Sequence, residues 1–215
     1  MCYYIRTTLE RELNGSYNQI TYKLIIDKEH KPIDSFIESL YQINDEDSVL
    51  MEDDLILCKD FVNRLNAVVE QYPNRIINFF WFPEFYVPTR ETYQIAFNQC
   101  TFYPKGIAKQ IADIMVTLPR NEGYKKNMYS LLEKEALKQL GIKVIQYRPC
   151  LVQHLDNDTL LFEKTVNRRR SPYFMDYLDT LGITYEEAKD SENCRKLIKL
   201  MREHFKELCK QKNQL

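Results

Sequence analysis

Short apolar runs alternate with segments of helical periodicity along the first half of the chain. The apolar runs begin at Cys2, Tyr22 and Ser48, and they are short and rich in β-branched or aromatic residues, which is typical of buried strands. Between them, Pro32 stands at a first helical turn, and Asp60 is placed to cap a second helix. Strands that alternate with helices predict an α/β fold with a mostly parallel sheet flanked by helices.

The second half continues this pattern less regularly. Strands are expected in RIINFFWF, YQIAFNQCTFYP and IKVIQY, and helices in KGIAKQIADIMVTL and YSLLEKEALKQLG, which Gly141 is placed to end. The composition turns polar from residue 155 to 171, and residues 173–215 predict two helices, the second amphipathic and locally basic. We therefore expect one domain over residues 1–160, followed at 161–215 by a basic loop and a helical extension.

Composition narrows the classes of function. A formal net charge of -1 gives no overall excess for binding nucleic acid or anionic lipid. Neither GxGxxG nor GxxxxGK[ST] occurs, which argues against a glycine-rich phosphate loop. The six cysteines lack CxxC spacing and indicate reduced, mostly buried thiols rather than zinc ligands or disulfides. No segment approaches the roughly 20 apolar residues of a membrane span, which predicts a soluble intracellular protein.

Three consecutive acids, Glu52, Asp53 and Asp54, interrupt the apolar run that begins at Ser48. An ionised carboxylate costs several kcal/mol to bury unless it has a partner. Ligands of open α/β sheets bind at the carboxyl ends of the strands, and adjacent carboxylates there can hold a divalent cation, which in turn holds a diphosphate. One interpretation is therefore a metal site; the other is a solvent-exposed hairpin turn made of these acids.

The apolar-EDD-apolar segment resembles the DxD-type motif of GT-A glycosyltransferases, several of which carry it as EDD. Other features occur in the matching order: the corner Arg6, Thr7 and Thr8 with Arg11 after the first strand, Asp27 after the second, and PCLVQHLDNDT near residue 150. The resemblance covers residues 1–175 and is closest to small bacterial and phage enzymes, including the lipooligosaccharide galactosyltransferase type. It implies a GT-A-like fold, Mn²⁺ or Mg²⁺, a nucleoside diphosphate sugar (UDP-sugar) donor and a cytoplasmic location, the host's if the chain is phage-encoded.

The resemblance also implies roles for the acids. Asp54 would be the direct metal ligand and thereby a catalytic residue, Asp53 would contact the ribose or the donor sugar, and Glu52 would be a supporting acid at the metal. His154 has three interpretations: a metal ligand, a phosphate contact or a structural histidine. Asp27 would accept a hydrogen bond from the nucleobase.

Further residues complete the expected site. Thr7, Thr8 and Arg11 would line the nucleotide pocket. Arg169 or Arg170 would bind the leaving diphosphate or a polyanionic acceptor, because arginine makes bidentate contacts with phosphate.

Relatives often place an acid, as general base, at the start of the helix before the LVQH strand, where this chain has residues 127–130 and no acid. Glu122, just upstream, and Glu133, about one turn inside the helix, are each either the base or a solvated surface glutamate. The aromatic segment from Trp81 to Tyr86 either belongs to the core or offers a flat face for stacking a sugar or a base.

The expected function is metal-dependent transfer of a sugar to an acceptor hydroxyl, either of a saccharide or of a hydroxymethylated pyrimidine in phage DNA. The arginines at 168–170 and the basic last helix favour DNA, whereas the net charge of -1 speaks against it. A noncatalytic binding module on a degenerate transferase fold is the alternative, since an evident base is missing. A nucleotidyltransferase is less favoured, because RTTLER contains no glycine.

Overall fold

A computed structural model of the chain describes residues 1–8, 12–29, 31–82, 85–95, 98–120, 129–155 and 170–212. The strands are β1 (Cys2–Thr7), β2 (Tyr22–Ile26), β3 (Ser48–Glu52), β4 (Leu55–Leu57), β5 (Ile76–Asn78), β6 (Arg90–Thr92), β7 (Cys100–Tyr103), β8 (Val144–Gln146) and β9 (Val152–His154). The helices are α1 (Pro32–Gln42), α2 (Phe61–Gln71), α3 (Ile107–Thr117), α4 (Tyr129–Leu140), α5 (Met175–Leu181) and α6 (Ser191–Lys212). Short 3-10 helices cover Gly15–Gln19 and Glu187–Lys189.

The main sheet has the order β2-β1-β3-β7-β5-β8-β6. β1 runs parallel to β2 and β3, and β5 runs parallel to β8, whereas β7 and β6 are antiparallel to their neighbours. The predicted α/β fold with a mostly parallel sheet is therefore confirmed. Because β1, β2, β3, β5 and β8 point the same way, their last residues share one edge of the sheet, which we call the carboxyl edge.

Alternating side chains of the strands bury two layers of helices against the sheet. Tyr3 and Ile5 belong to a core cluster that includes residues of α2, α5 and α6. Tyr4, between them, belongs to a second cluster with residues of α1, α3 and α4 on the other face. This period of two is the expected geometry of a strand buried on both faces. The C-terminal helices α5 and α6 thus pack on the same core as the sheet.

A second, two-stranded sheet forms beside the carboxyl edge. β4 leaves the main sheet after the acids and pairs antiparallel with β9, so that Leu55 faces His154 and Leu57 faces Val152. The segments LILC and LVQH, which the sequence analysis treated as separate features, are therefore bonded to each other. This pairing decides the geometry of the candidate site.

The start of α2 differs from the prediction. The helix begins at Phe61, but Asp60 adopts a left-handed conformation with φ of 55° and makes no capping hydrogen bond with its side chain. Its carboxylate instead accepts from Asn63 Nδ2 at 2.6 Å. The amide of Phe61 donates to Gln19 Oε1 at 3.2 Å. A side chain from a distant segment therefore accepts the hydrogen bond of an N–H group that has no partner within the helix.

Other local predictions fared differently. Gly141 follows α4 with φ of 67°, and its amide donates to the carbonyl of Lys138, so the predicted helix end is confirmed. RIINFFWF forms a strand only over Ile76–Asn78, although Phe79 and Phe80 remain fully buried beyond its end.

The cysteines in the structure are free, and Cys58, Cys100 and Cys150 are buried. Of the helices in the described ranges, none is both long enough and apolar enough to span a bilayer.

Candidate functional site

Asp54 and His154 lie side by side at the carboxyl edge. The pairing of Leu55 with His154 in the small sheet brings them together, and the amide of Leu155 donates to the carbonyl of Asp54 at 2.7 Å. His154 Nε2 is 3.3 Å from Asp54 Oδ2, and the two side chains are only 5% and 7% exposed. The sequence predicted both residues as metal ligands, and the fold makes them neighbours.

The turn that carries the acids is held by a tyrosine from the first 3-10 helix. The hydroxyl of Tyr17 donates to the carbonyl of Glu52 at 2.6 Å and accepts from the amide of Leu55 at 3.2 Å. Asn14 Nδ2 also donates to the carbonyl of Leu55 at 2.5 Å. Burial raises the pKa of Tyr17 well above its usual value, so the hydroxyl keeps its proton at neutral pH. The residues on either side of the acids are therefore fixed before any ligand binds.

The hairpin-turn interpretation of the acids is wrong. Asp53 and Asp54 are 7% and 5% exposed, and the strands on either side of them belong to different sheets. Such carboxylates need partners, as the sequence argument required.

Asp53 has its partner on the neighbouring strand. Thr7 Oγ1 donates to Asp53 Oδ2 at 2.7 Å, and both residues are buried. The carbonyl of Thr7 accepts from the amide of Asp27 at 2.8 Å, and Asp27 Oδ1 accepts from the amide of Lys31 at 3.1 Å. The structure thus aligns Asp27, Thr7 and Asp53 along the carboxyl ends of β2, β1 and β3, and their role in a nucleotide pocket stays a prediction.

Thr8, the next residue, carries a buried hydroxyl that makes no hydrogen bond with any residue in the described ranges. Its position beside Thr7 leaves a polar atom for a ligand at this edge. Arg11, the third residue predicted to line the pocket, lies outside the described residues.

Glu52 turns away from Asp54 and His154. On the other face of the sheet, its carboxylate accepts from Arg6 Nη2 and from the Tyr129 hydroxyl, both at 2.8 Å. Burial opposes the charge of Arg6, but Tyr129 and Glu52 outweigh that effect and raise its pKa. The cluster of Arg6, Glu52 and Tyr129 was not predicted from the sequence. The alternation of a strand was the available signal, since adjacent acids at its end must point to opposite faces.

Glu133 lies in a buried polar network on the α4 side of the sheet. Its carboxylate accepts from the Tyr103 hydroxyl at 2.7 Å and from Asn98 Nδ2. It is 0% exposed, and burial raises its pKa to about 7 although Tyr103 and Asn98 favour its charged form. The interpretation of Glu133 as a solvated surface residue is therefore wrong. Glu122, the other candidate base, lies outside the described residues.

Arg170 lies against the last helix, with its guanidinium carbon 3.7 Å from the centre of the Phe205 ring. Arg169, the other arginine predicted to bind the diphosphate, lies outside the described residues. This contact places the Arg170 side chain against α6. The binding of a diphosphate by Arg170 stays a prediction.

The pair Asp54 and His154 fits a divalent cation. Carboxylate is a ligand that suits Mg²⁺ and Mn²⁺, and imidazole is a common ligand of transition-metal ions. Neighbouring ligands of an octahedral ion with bonds of about 2.1 Å are roughly 3 Å apart, close to the observed separation of 3.3 Å. Among the residues with described positions, no group of three or more histidine, cysteine or acidic side chains is placed to hold a metal. A cation here would need further ligands from its diphosphate partner and water.

Comparison with known proteins assigns no family. The chain matches no protein-family profile and no curated protein. Among solved structures it is similar to the crystal structure of A197 from STIV, with a TM-score of 0.41 and 9% identity, over 77% of this chain and 99% of that one. Similarity at this level carries no argument about function.

Proposed function

We propose that the chain is a metal-dependent glycosyltransferase that moves a sugar from a nucleoside diphosphate sugar, first of all a UDP-sugar, to an acceptor hydroxyl. The observation that carries the proposal is the pair Asp54 and His154. They come from distant segments, are buried together, and lie at the edge where ligands of α/β sheets bind. The neighbouring pair Asp53 and Thr7 supports it, because it places a second oriented carboxylate beside the first.

Each residue at the edge has a defined task in this proposal. Asp54 and His154 hold Mn²⁺ or Mg²⁺, and the bound cation neutralises the charge of the departing diphosphate. Asp53, oriented by Thr7, contacts the ribose or the donor sugar. Asp27 lies at the end of the outer strand, where a nucleobase would extend. The buried hydroxyl of Thr8 is a hydrogen-bonding group for the nucleotide.

A binding experiment tests the donor site. Thermal-shift and calorimetric titrations with UDP, with and without Mn²⁺, are made on the native chain and on Asp54→Asn. We expect UDP to bind only with the metal and the variant to bind at least tenfold more weakly, because one of its two protein ligands is lost. Asp45→Asn is the matched control, since Asp45 is exposed and precedes β3, at the opposite edge of the sheet. It should bind UDP normally.

His154→Gln separates the metal role of His154 from a structural role. If His154 is a ligand, the variant needs more Mn²⁺ to reach the same UDP affinity, and excess Mn²⁺ restores binding. If UDP binds the native chain equally well without metal, the proposed donor site is wrong.

The acceptor is either a saccharide or a hydroxymethylated pyrimidine of DNA. Helix α6 bears a basic exposed face made of Arg195, Lys199, Arg202 and Lys206. Residues at this spacing lie on one side of a helix and would contact phosphates. Duplex DNA binding at several salt concentrations distinguishes the acceptors. For a DNA acceptor, the salt dependence should be steep and should weaken in Arg202→Gln/Lys206→Gln.

A noncatalytic binding module is the second candidate, and one observation favours it. Glu133, the candidate base with a described position, hydrogen-bonds to Tyr103 and Asn98, and the structure does not bring it together with the Asp54 pair. A binding module would bind UDP with Mn²⁺ but neither transfer nor hydrolyse the sugar of a UDP-sugar. Release of UDP from UDP-glucose and UDP-galactose, abolished by Asp54→Asn, would exclude this candidate.

A further inference from the structure

Arg148 follows β8 at the carboxyl edge and is only 4% exposed. Its Nη1 donates to the backbone carbonyl of the preceding residue, Tyr147. Its Nε and Nη2 are buried and make no hydrogen bond with any part of the chain that the structure describes. Arginine is always charged in proteins, and buried arginine is normally paired with an anion. Nε and Nη2 of Arg148 are therefore available to donate hydrogen bonds to a ligand at the carboxyl edge.

A second arginine lies close to Arg148, with the only tryptophan of the chain in contact with both. The guanidinium carbons of Arg148 and Arg90 lie 5.3 and 5.6 Å from the centre of the Trp81 ring. Arg90 Nε donates to the side-chain amide oxygen of Gln146 at 3.1 Å, and this acceptor is uncharged. Burial lowers the pKa of Arg148; Cys150 and Tyr185 oppose this effect, and Arg90 adds to it.

The two arginines and the Asp54 pair lie in different parts of the carboxyl edge, and residues 80 and 81 connect the two parts along the chain. Trp81 follows Phe80, whose ring centre is 6.3 Å from that of His154. Thr7 ends β1 and Asp53 follows β3, whereas Arg148 follows β8, which lies beyond β7 and β5 in the sheet order. A nucleotide-sugar donor bound at the carboxyl ends of β1 and β3 would leave the carboxyl ends of β5 and β8 free for a second substrate.

We propose that Arg148, Arg90 and Trp81 form a subsite for an acidic sugar, with its carboxylate on the two guanidinium groups and its ring against Trp81. Two guanidinium groups that have no carboxylate partner among the described residues match one carboxylate, which can accept paired hydrogen bonds from arginine. Burial of Arg148 suits a single small group rather than a duplex backbone. Only the assignment of this sugar to the acceptor rests on the proposed glycosyltransferase function.

Trp81 makes the subsite directly observable. Because the chain contains one tryptophan, its emission reports on this place alone. Trp81 is partly exposed and its ring contacts Arg148, so a ligand bound to Arg148 would change the surroundings of the ring. We expect glucuronate to change the emission saturably, and glucose, which lacks the carboxylate, to bind at least tenfold more weakly. Equal responses to the two sugars would overturn the proposal.

Two variants and one control link the response to the arginines. Arg148→Met should weaken glucuronate binding at least tenfold. Arg90→Gln, at an exposed position that does not endanger folding, should weaken it severalfold. Arg64→Met, which removes a partly exposed arginine on α2 paired with Asp179, should bind glucuronate normally. Unchanged binding in Arg90→Gln and Arg148→Met would overturn the proposal.

The melting temperature separates a ligand role from a structural role. If Arg148 is kept for a ligand, Arg148→Met melts at or above the native temperature, because the variant removes an uncompensated buried charge. Glucuronate should then raise the melting temperature of the native chain but not of the variant. A variant that melts several degrees lower while still binding glucuronate would show a structural arginine and contradict the proposal.

The donor site and the acidic-sugar subsite can fail independently. Asp54→Asn should bind glucuronate as the native chain does, even if UDP does not bind under any metal condition. Competition between UDP and glucuronate would place the arginines in the donor site and overturn the separate subsite. Short duplex DNA that displaces glucuronate would identify a nucleic-acid acceptor and overturn the assignment to an acidic sugar.

Discussion

Arg6 and Arg148 are both buried near the carboxyl ends of parallel strands, yet their surroundings are opposite. Arg6 donates to the carboxylate of Glu52 and to the Tyr129 hydroxyl, and these neighbours raise its pKa. Arg148 has an aromatic ring and a second arginine beside it, and its pKa is lowered. The comparison teaches how to distinguish two uses of a buried charge. The charge of Arg6 has its partner within the chain, whereas Arg148 has no anionic partner among the described residues and is the arginine that we assign to a ligand.

The largest effect that tests this comparison is expected for Arg6→Met. Removing one member of a fully buried ion pair typically costs roughly 3–5 kcal/mol of unfolding free energy, because the other charge is left uncompensated. The side chains of Arg6 and Glu52 are 12% and 22% exposed, so we expect a loss at or below the lower end of that range. Glu52 would keep only the Tyr129 hydroxyl as a donor. Urea denaturation at pH 7 measures the change.

The double variant Arg6→Met/Glu52→Gln is the control, and it should recover part of the lost stability because the unpaired charge is gone. Equal losses in Arg6→Met and Arg148→Met would remove the distinction between the two arginines.

The second prediction concerns Glu133, a buried acid whose hydrogen-bond partners are uncharged. Its pKa is raised from 4.5 to about 7, mainly by burial; Tyr103 and Asn98 donate to it, and the charge of Arg6 also acts on it. A raised acid pKa means that the folded state binds the proton more tightly than the unfolded state. The stabilisation by this proton is fully present below about pH 4.5 and is lost as the pH rises through about 7.

Glu133→Gln isolates this contribution. A shift from 4.5 to about 7 corresponds to about 3 kcal/mol. Relative to the variant, the native chain should therefore lose up to about this free energy of unfolding between pH 4.5 and pH 8. Urea denaturation of both chains across this range measures the difference. If the two stability curves run parallel, Glu133 does not titrate in this window.

Much of the fold could be predicted because its signals are local. The runs that begin at Cys2, Tyr22 and Ser48 mark strands by their own composition. Gly141 marks a helix end by the backbone conformation that it adopts. The position of the acids at the end of β3 could also be predicted, since the apolar run stops there.

The arrangement within the site depends on pairings that no local signal determines. The turn after β3 sends β4 out of the main sheet, and only its pairing with β9 makes Asp54 and His154 neighbours. Arg6 meets Glu52 because the register of β1 and β3 sets them opposite each other. The prediction of Asp60 as a cap was wrong for the same reason, since Gln19 Oε1 from a distant segment accepts from the amide of Phe61 at the start of α2.

The smallest effect is expected for Arg64→Met, which supplies the surface reference for the two buried arginines. Arg64 Nη2 lies 2.7 Å from Asp179 Oδ2, closer than Arg6 is to Glu52, but the two side chains are 29% and 44% exposed. Water screens the attraction between two exposed charges, and fixing two long side chains in one geometry costs conformational entropy. Exposed ion pairs therefore contribute only about 0.2–1 kcal/mol to the free energy of unfolding. A double-mutant cycle of Arg64→Met and Asp179→Asn, followed by urea denaturation, measures the coupling. A coupling as large as that of Arg6 with Glu52 would mean that distance, and not burial, sets the strength of these pairs.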